Sequence, residues 1–171
     1  MLINMGSQPM FRILFICMGN ICRSPTAEGV MRRRLEEAGL AKRVQVDSAG
    51  TVGAHAGEAP DVRAQRTAKA RGVDLSRLRA RQVEPRDFDK YDLILSMDRR
   101  NLEILREQCQ AWHLPKLKLL MSYGSSEGEE VPDPYYGGPQ GFEVVFDLVD
   151  DAVTGLIADL RRQGLGESPK P

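Results

Sequence analysis

An apolar run, Phe11-Arg12-Ile13-Leu14-Phe15-Ile16, leads into Cys17. A run this short and this continuous predicts a buried strand. From Pro25 to Gly39 the period changes, and Ala27, Val30, Met31, Leu35 and Ala38 fall on one helical face. Ser24 is placed to cap that helix, Pro25 suits its first position, and Gly39 suits its end. Val44–Asp47 predicts a second strand, with the loop Ser48-Ala49-Gly50-Thr51 after it. A weaker helix spans Pro60–Arg71 and stops near Gly72. Asp92–Met97 predicts a third strand, and Arg99–Gln110 a helix with Leu102, Leu105 and Cys109 inward. Lys116–Met121 predicts a fourth strand. Tyr123–Gly141 gathers glycine, proline and acidic residues, so it predicts a long loop, and long loops in compact domains are often functional. The clearest helical pattern runs from Phe142 to Arg161, where Phe142, Val145, Phe146, Val149, Val153, Leu156, Ile157 and Leu160 keep the spacing throughout.

Strand and helix alternate, which predicts an α/β fold: a four-stranded parallel twisted sheet with helices on both faces. No repeat or linker interrupts residues 11–162, which read as one domain between a disordered lead, 1–10, and a frayed tail, 163–171. In such sheets ligands bind beyond the carboxyl ends of the strands. Cys17 stands at one of those ends.

Charge narrows the function classes. Lysine plus arginine equals aspartate plus glutamate, 24 each, which argues against a dedicated nucleic-acid binder. A small anionic substrate needs only a local positive pocket. No apolar run approaches a membrane span and the first ten residues lack the form of a signal peptide, so the expected location is cytoplasmic. Three cysteines make no disulfide framework, and two histidines, His55 and His113, make a metal site unlooked for. No cofactor is expected.

The chemistry concentrates in Cys17-Met18-Gly19-Asn20-Ile21-Cys22-Arg23-Ser24-Pro25. A cysteine ends a strand, a turn follows, and a helix starts just after an arginine. Phosphate-ester cleavage needs a nucleophile, donors for the equatorial oxygens and positive charge. The five residues between Cys17 and Arg23 suffice to wrap a phosphate with backbone N–H groups, helped by the helix N-terminus. Gly19 permits unusual backbone geometry, and Asn20 suits a left-handed position. Arg23 offers a planar fork to two phosphate oxygens. Ser24 has two candidate tasks, helix cap or hydroxyl donor to the Cys17 sulfur. The leaving oxygen also needs a proton. Asp133, in Val131-Pro132-Asp133-Pro134-Tyr135-Tyr136-Gly137-Gly138, is the candidate acid, with Tyr135 and Tyr136 as walls for an aromatic substrate.

With these motifs in hand, and with Asp47-Ser48-Ala49-Gly50-Thr51 beside them, the sequence from Phe11 to Arg162 closely resembles the low-molecular-weight protein tyrosine phosphatase family. The resemblance implies a phosphotyrosine protein phosphatase I-like three-layer sandwich, no metal, and a phosphocysteine intermediate. By position it makes Cys17 the nucleophile, Arg23 the ligand of phosphate and transition state, and Asp133 the general acid. Asn20, Ser24 and Ser48 resemble the network that shapes the loop, and Cys22 the cysteine that forms a reversible disulfide with Cys17. The substrate implied is a phosphotyrosine protein, with a tyrosine kinase as one candidate, met by a monomer or weak dimer. Many relatives carry a large residue in the loop after the second strand; here Ala54 takes that place, which predicts a wider, less apolar cleft with His55 as a rim or loop-packing residue. Phosphoarginine-specific relatives tend to have threonine where this chain has Ile21, so Ile21 favours phosphotyrosine. The basic segment Ser76–Gln82 reads as a solvated face or a phosphopeptide rim.

Two rivals stand beside this reading. A thiol-dependent arsenate reductase of the same fold needs a further cysteine to pass the disulfide outward, and nothing after Cys109 supplies one. A phosphopeptide-binding module without turnover needs neither the nucleophile nor the acid that this chain keeps.

Overall fold

A computed structural model describes residues 10–165. Its centre is a strand buried on both faces. In β1 (Phe11–Cys17) the residues Ile13, Phe15 and Cys17 turn to one apolar layer and Leu14 and Ile16 to another. A strand covered on both sides has no polar face, which is why the sequence runs apolar without alternation. β2 (Val44–Gly50), β3 (Leu93–Ser96) and β4 (Leu117–Leu119) complete a sheet of order β2-β1-β3-β4, parallel throughout. The chain moves one way from β1 to β2, then returns to the other side of β1 for β3 and β4. The strand order therefore reverses at β1, the place where open α/β sheets form their crevice. Its carboxyl end is Cys17.

One face carries α1 (Arg23–Glu37), α2 (Val62–Ala70) and α5 (Gln140–Arg162). The other carries α3 (Pro85–Lys90) and α4 (Arg99–Gln108), through Phe88, Leu102 and Leu105. Helix α1 ends as its sequence predicts. Gly39 is left-handed at φ 73°, its N–H reaches Glu36 O at 3.1 Å, and Leu40 N–H reaches Leu35 O at 2.8 Å. That paired closure satisfies two orphan carbonyls and brings Leu40 onto Leu35. The same closure ends α5, where Leu165 N–H reaches Leu160 O. Residues 163–165 are thus a turn with Leu165 packed on the core, not a frayed tail. The rest of that tail, and the expected lead apart from Met10, lie outside the described residues.

Several boundaries move from their predicted places. β2 runs through Gly50, so the expected loop from Ser48 is strand. Helix α1 begins two residues early, at Arg23, and Ser24 is inside it, not its cap; the N-cap position is Cys22, which caps with no side chain. The fourth strand shrinks to three residues because 3-10 turns, Ala111–Lys116 and Leu120–Tyr123, flank it. Helix α3 has no counterpart in the predicted elements.

Candidate active site

Three chain segments meet at the carboxyl end of β1. The loop from Cys17 to Arg23 is tied to the end of β2 by Thr51 N–H to Cys17 O (2.9 Å) and Val52 N–H to Met18 O (3.0 Å). That contact admits no side chain at Gly50, where a Cβ would lie 2.6 Å from Met18 O. The left-handed residue of the loop is Asn20, at φ 59°. Gly19 has no positive φ; a Cβ there would meet His55 Cδ2 at 3.1 Å, a tight contact that the absence of a side chain relieves.

Asn20 organises the loop. Its Nδ2 donates to Ser24 Oγ (2.8 Å) and Ser48 Oγ (3.0 Å), and its Oδ1 accepts from Arg81 N–H (3.0 Å). Ser48 Oγ in turn donates to Glu28 Oε1 at 2.7 Å. With an acceptor site of Ser24 filled by Asn20, the Ser24 hydroxyl hydrogen is free for Cys17 Sγ, 2.9 Å away. Asn20 N–H points at the same sulfur from 3.3 Å. Of the two tasks open to Ser24, the geometry matches the hydroxyl donor.

Arg23 is 3% exposed, and its fork is anchored from behind. Nη1 donates to Asp98 Oδ2 (2.6 Å) and to Val131 O (3.1 Å), while Nη2 lies 3.6 Å from Asp133 Oδ2. Burial works against its charge, but Cys17, Asp98 and Asp133 outweigh that and raise its pKa above the ordinary value. Asp133 is 40% exposed, and its Oδ1 accepts Tyr135 N–H at 3.0 Å. A cleft with about 530 Å³ of open space is lined by Cys17, Met18, Gly19, Ile21, Cys22, Arg23, His55, Asp133, Tyr135 and Tyr136. The two tyrosines stand edge to face, 4.9 Å between centroids, with Tyr136 91% exposed.

Ala54 is the rim residue that the structure moves. It is exposed and does not line the cleft; the ring of His55 does, with Nδ1 held by Glu58 Oε2 at 2.7 Å. The turn Gly53–Glu58 carries His55 inward because Ala56 N–H and Glu58 N–H close back on Gly53 O and His55 O. The cleft wall is therefore an imidazole, not an opening. Ile21 lines the cleft and belongs to a small apolar cluster with Cys22, Ala64, Ala80 and Phe142. Cys22 is buried, and burial first, then Asp61 and Cys17, push its thiol up to about 12.

Sequence reasoning missed four residues here. Asp98 anchors Arg23 from across the sheet, and Glu28 is 2% exposed beneath Ser48. Arg63 Nη2 donates to Tyr135 O at 3.2 Å, two residues beyond Asp133. Arg81 does not join a solvated basic face; it lies between Asp47 (3.1 Å) and Asp87 (2.9 Å) behind Asn20. Cys109 caps α4 and packs toward the far face, outside the cleft. Among the described residues no cluster of three or more His, Cys, Asp or Glu is arranged to hold a metal. No helix among them is long and apolar enough to cross a membrane.

Comparison with known proteins gives the site its context. The family model for low molecular weight phosphotyrosine protein phosphatase matches residues 12–165. The chain is 42% identical over 162 residues to a low molecular weight protein-tyrosine-phosphatase of Streptomyces coelicolor, covering 92% of this chain and 98% of that one. It is 39% identical over 148 residues to the low molecular weight phosphotyrosine protein phosphatase of Homo sapiens, covering 83% and 90%. Among solved structures, a protein tyrosine phosphatase of Entamoeba histolytica with Hepes in the active site superposes with a TM-score of 0.87 at 37% identity, covering 91% of this chain and 99% of that one. YfkJ of Bacillus subtilis superposes with a TM-score of 0.85 at 35% identity, covering 92% and 99%.

Proposed function

Because the chain belongs to the low molecular weight phosphotyrosine protein phosphatase family, we propose that it hydrolyses phosphotyrosine in proteins, and small aryl phosphates, through a phosphocysteine at Cys17. A single domain carries this activity. The observation that supports it most is the convergence of Ser24 Oγ and Asn20 N–H on Cys17 Sγ, at a cleft shared with Arg23 and Asp133. Two donors on one sulfur suit a thiolate, both as attacking group and later as leaving group.

In the first step Cys17 Sγ bonds to phosphorus as the ester P–O bond breaks, and the departing phenolate takes the proton of Asp133. Arg23, braced by Asp98 and Val131 O, holds the equatorial oxygens with the loop N–H groups. In the second step water attacks phosphorus, Asp133 carboxylate takes its proton, and the S–P bond returns its electrons to Cys17. Asn20, Ser48 and Glu28 shape the loop without touching substrate. Tyr135, Tyr136 and His55 wall the substrate ring, and Ile21 gives an apolar floor that favours an aryl ester over a phosphoguanidinium.

The partners on this reading are phosphotyrosine proteins, a tyrosine kinase among them, met by a monomer or weak dimer. The cytoplasm suits such an enzyme because reducing conditions keep its nucleophile free. Cys22 serves as redox partner: peroxide oxidises Cys17 to a sulfenic acid, and condensation with the Cys22 thiol forms a disulfide and releases water.

A panel of phosphotyrosine, phosphoserine and phosphoarginine peptides, with Cys17→Ser as control, tests the proposal. Phosphotyrosine should be hydrolysed far faster than the others, and only by the unmodified protein. Preference for phosphoarginine or phosphoserine would refute the substrate class.

A further inference from the structure

The segment that carries Asp133 is poorly buried. Val131 is fully buried and its N–H reaches Met97 O at 2.8 Å, but between it and α5 only Pro134 is buried. Exposed loop backbone with few apolar contacts opens at low free-energy cost. A general acid cannot tolerate that, since a displacement of about 1 Å costs on the order of 10²-fold in rate.

Among the described residues, the polar ties from other elements to this stretch run through two arginines. Arg23 faces Asp133 itself. The other is Arg63, in the first turn of α2. Its Nη2 donates to Tyr135 O at 3.2 Å, and its guanidinium lies over the rings of Tyr135 (5.5 Å) and Phe142 (4.7 Å). The fork is itself fixed: Nε donates to Asp61 Oδ1 (3.0 Å) and Nη2 to Asp61 Oδ2 (2.9 Å). Asp61 caps α2 through Arg63 N–H (2.8 Å), and Asp61 N–H donates to Ile21 O in the phosphate loop (2.8 Å). An unbroken chain of contacts thus joins Ile21, Asp61, Arg63 and Tyr135, and the Tyr135 N–H bond to Asp133 Oδ1 completes it.

We infer that Arg63 is a positioning residue that latches the acid loop to the phosphate loop and so sets where Asp133 stands relative to Cys17. The inference rests on Asp133 being the general acid. Arg63 does not line the cleft that holds Cys17; it acts through the Tyr135 backbone. A planar fork does this well, because it can lie against aromatic rings while its N–H groups serve a carboxylate and a carbonyl together.

The test is a cycle of Arg63→Met and Asp133→Asn, read as kcat/KM on phenyl phosphate and on p-nitrophenyl phosphate. Methionine keeps the stem over Phe142 and removes the fork. Loss of a positioned acid is worth about 10²–10⁴-fold where the leaving group is poor, so partial misplacement by Arg63→Met should cost about tenfold or more on phenyl phosphate. On p-nitrophenyl phosphate the loss should stay under about threefold, and competitive inhibition by inorganic phosphate should stay within about twofold, because that substrate needs little protonation and the phosphate loop is unchanged. In the Asp133→Asn background Arg63→Met should cost nothing further, and Arg63→Lys should recover part of the loss. Equal losses on both esters, an additive loss in the Asp133→Asn background, or no loss at all would overturn the latch. If Asp133→Asn itself slows both esters equally, the general-acid reading fails and the latch falls with it; if Asp133→Asn is selective and Arg63→Met is not, the latch alone fails.

Discussion

Replacing Asn20 separates two contributions that the structure combines in one residue. Asn20→Gly keeps the left-handed backbone open but removes three side-chain hydrogen bonds, to Ser24, Ser48 and Arg81 N–H. Asn20→Ala removes the same bonds and also sets a Cβ at φ 59°. A buried hydrogen bond is worth about 1 kcal/mol net, and a buried group left without a partner costs about 1–3 kcal/mol. Arg81 N–H is left without its partner, while Ser24 and Ser48 each keep another bond, so Asn20→Gly should lose about 3–5 kcal/mol. Alanine in the left-handed region costs about 1–2 kcal/mol, and glycine gives back about 0.4–1 kcal/mol through its freer unfolded chain. Asn20→Ala should therefore be the less stable by roughly 0.5–1 kcal/mol. Denaturant unfolding with an unchanged slope measures both numbers. Activity should drop alike in the two variants, because both free the Ser24 hydroxyl to rotate away from Cys17. Wild-type activity in Asn20→Gly would refute the network and leave backbone conformation as the only role of Asn20.

Three further outcomes follow from particular contacts. Gly155→Ala should destabilise by about 1–3 kcal/mol or more in denaturant unfolding, because a Cβ there overlaps the Tyr123 carbonyl; unchanged stability would mean α5 is freer than its packing shows. Burial raises the Glu28 carboxyl above its ordinary value, against the lowering by Ser48 and Arg32. The native state therefore holds the extra proton, so this group's contribution is fully present below the unfolded value of about 4.3 and is lost as pH rises through the folded value. Glu28→Gln should accordingly gain relative to wild type as pH rises across that window, and parallel pH–stability curves would refute it. Peroxide followed by dithiothreitol should restore thiol and activity in the wild type but not in Cys22→Ser; equal recovery would remove Cys22 from that role.

The fold was legible where one physical signal dominated. β1 is buried on both faces and α5 buries nine residues at helical spacing, so hydrophobic pattern alone identifies them. The ends of elements followed less well. Helix α3 is only six residues long and too short for periodicity, although Pro85 at its first turn and Asp87, whose carboxylate accepts Glu84 N–H, mark its start. β4 is a three-residue strand between 3-10 turns, and its flanking Leu114, Leu120 and Met121 imitate a longer apolar run. In the cleft, Cys17, Arg23 and Asp133 are legible because their chemistry is unusual in sequence. Asp98 is not, since a carboxylate beside an arginine 75 positions away looks like any helix-start acid until β1 and β3 are paired, and neither is Glu28, which meets Ser48 only once β2 lies beside α1. His55 and not Ala54 lines the wall within a turn closed by Ala56 N–H to Gly53 O and Glu58 N–H to His55 O, which no residue-by-residue reading of the loop reveals.

In the proposed reaction phosphate passes through Cys17. Acid quenching during turnover of a phosphotyrosine peptide, followed by peptide mapping, tests it most directly. One phosphate should be found on the peptide containing Cys17, absent from Cys17→Ser, and longer-lived when Asp133→Asn slows the attack of water. Phosphate on any other residue, or sustained turnover by Cys17→Ser, would contradict it.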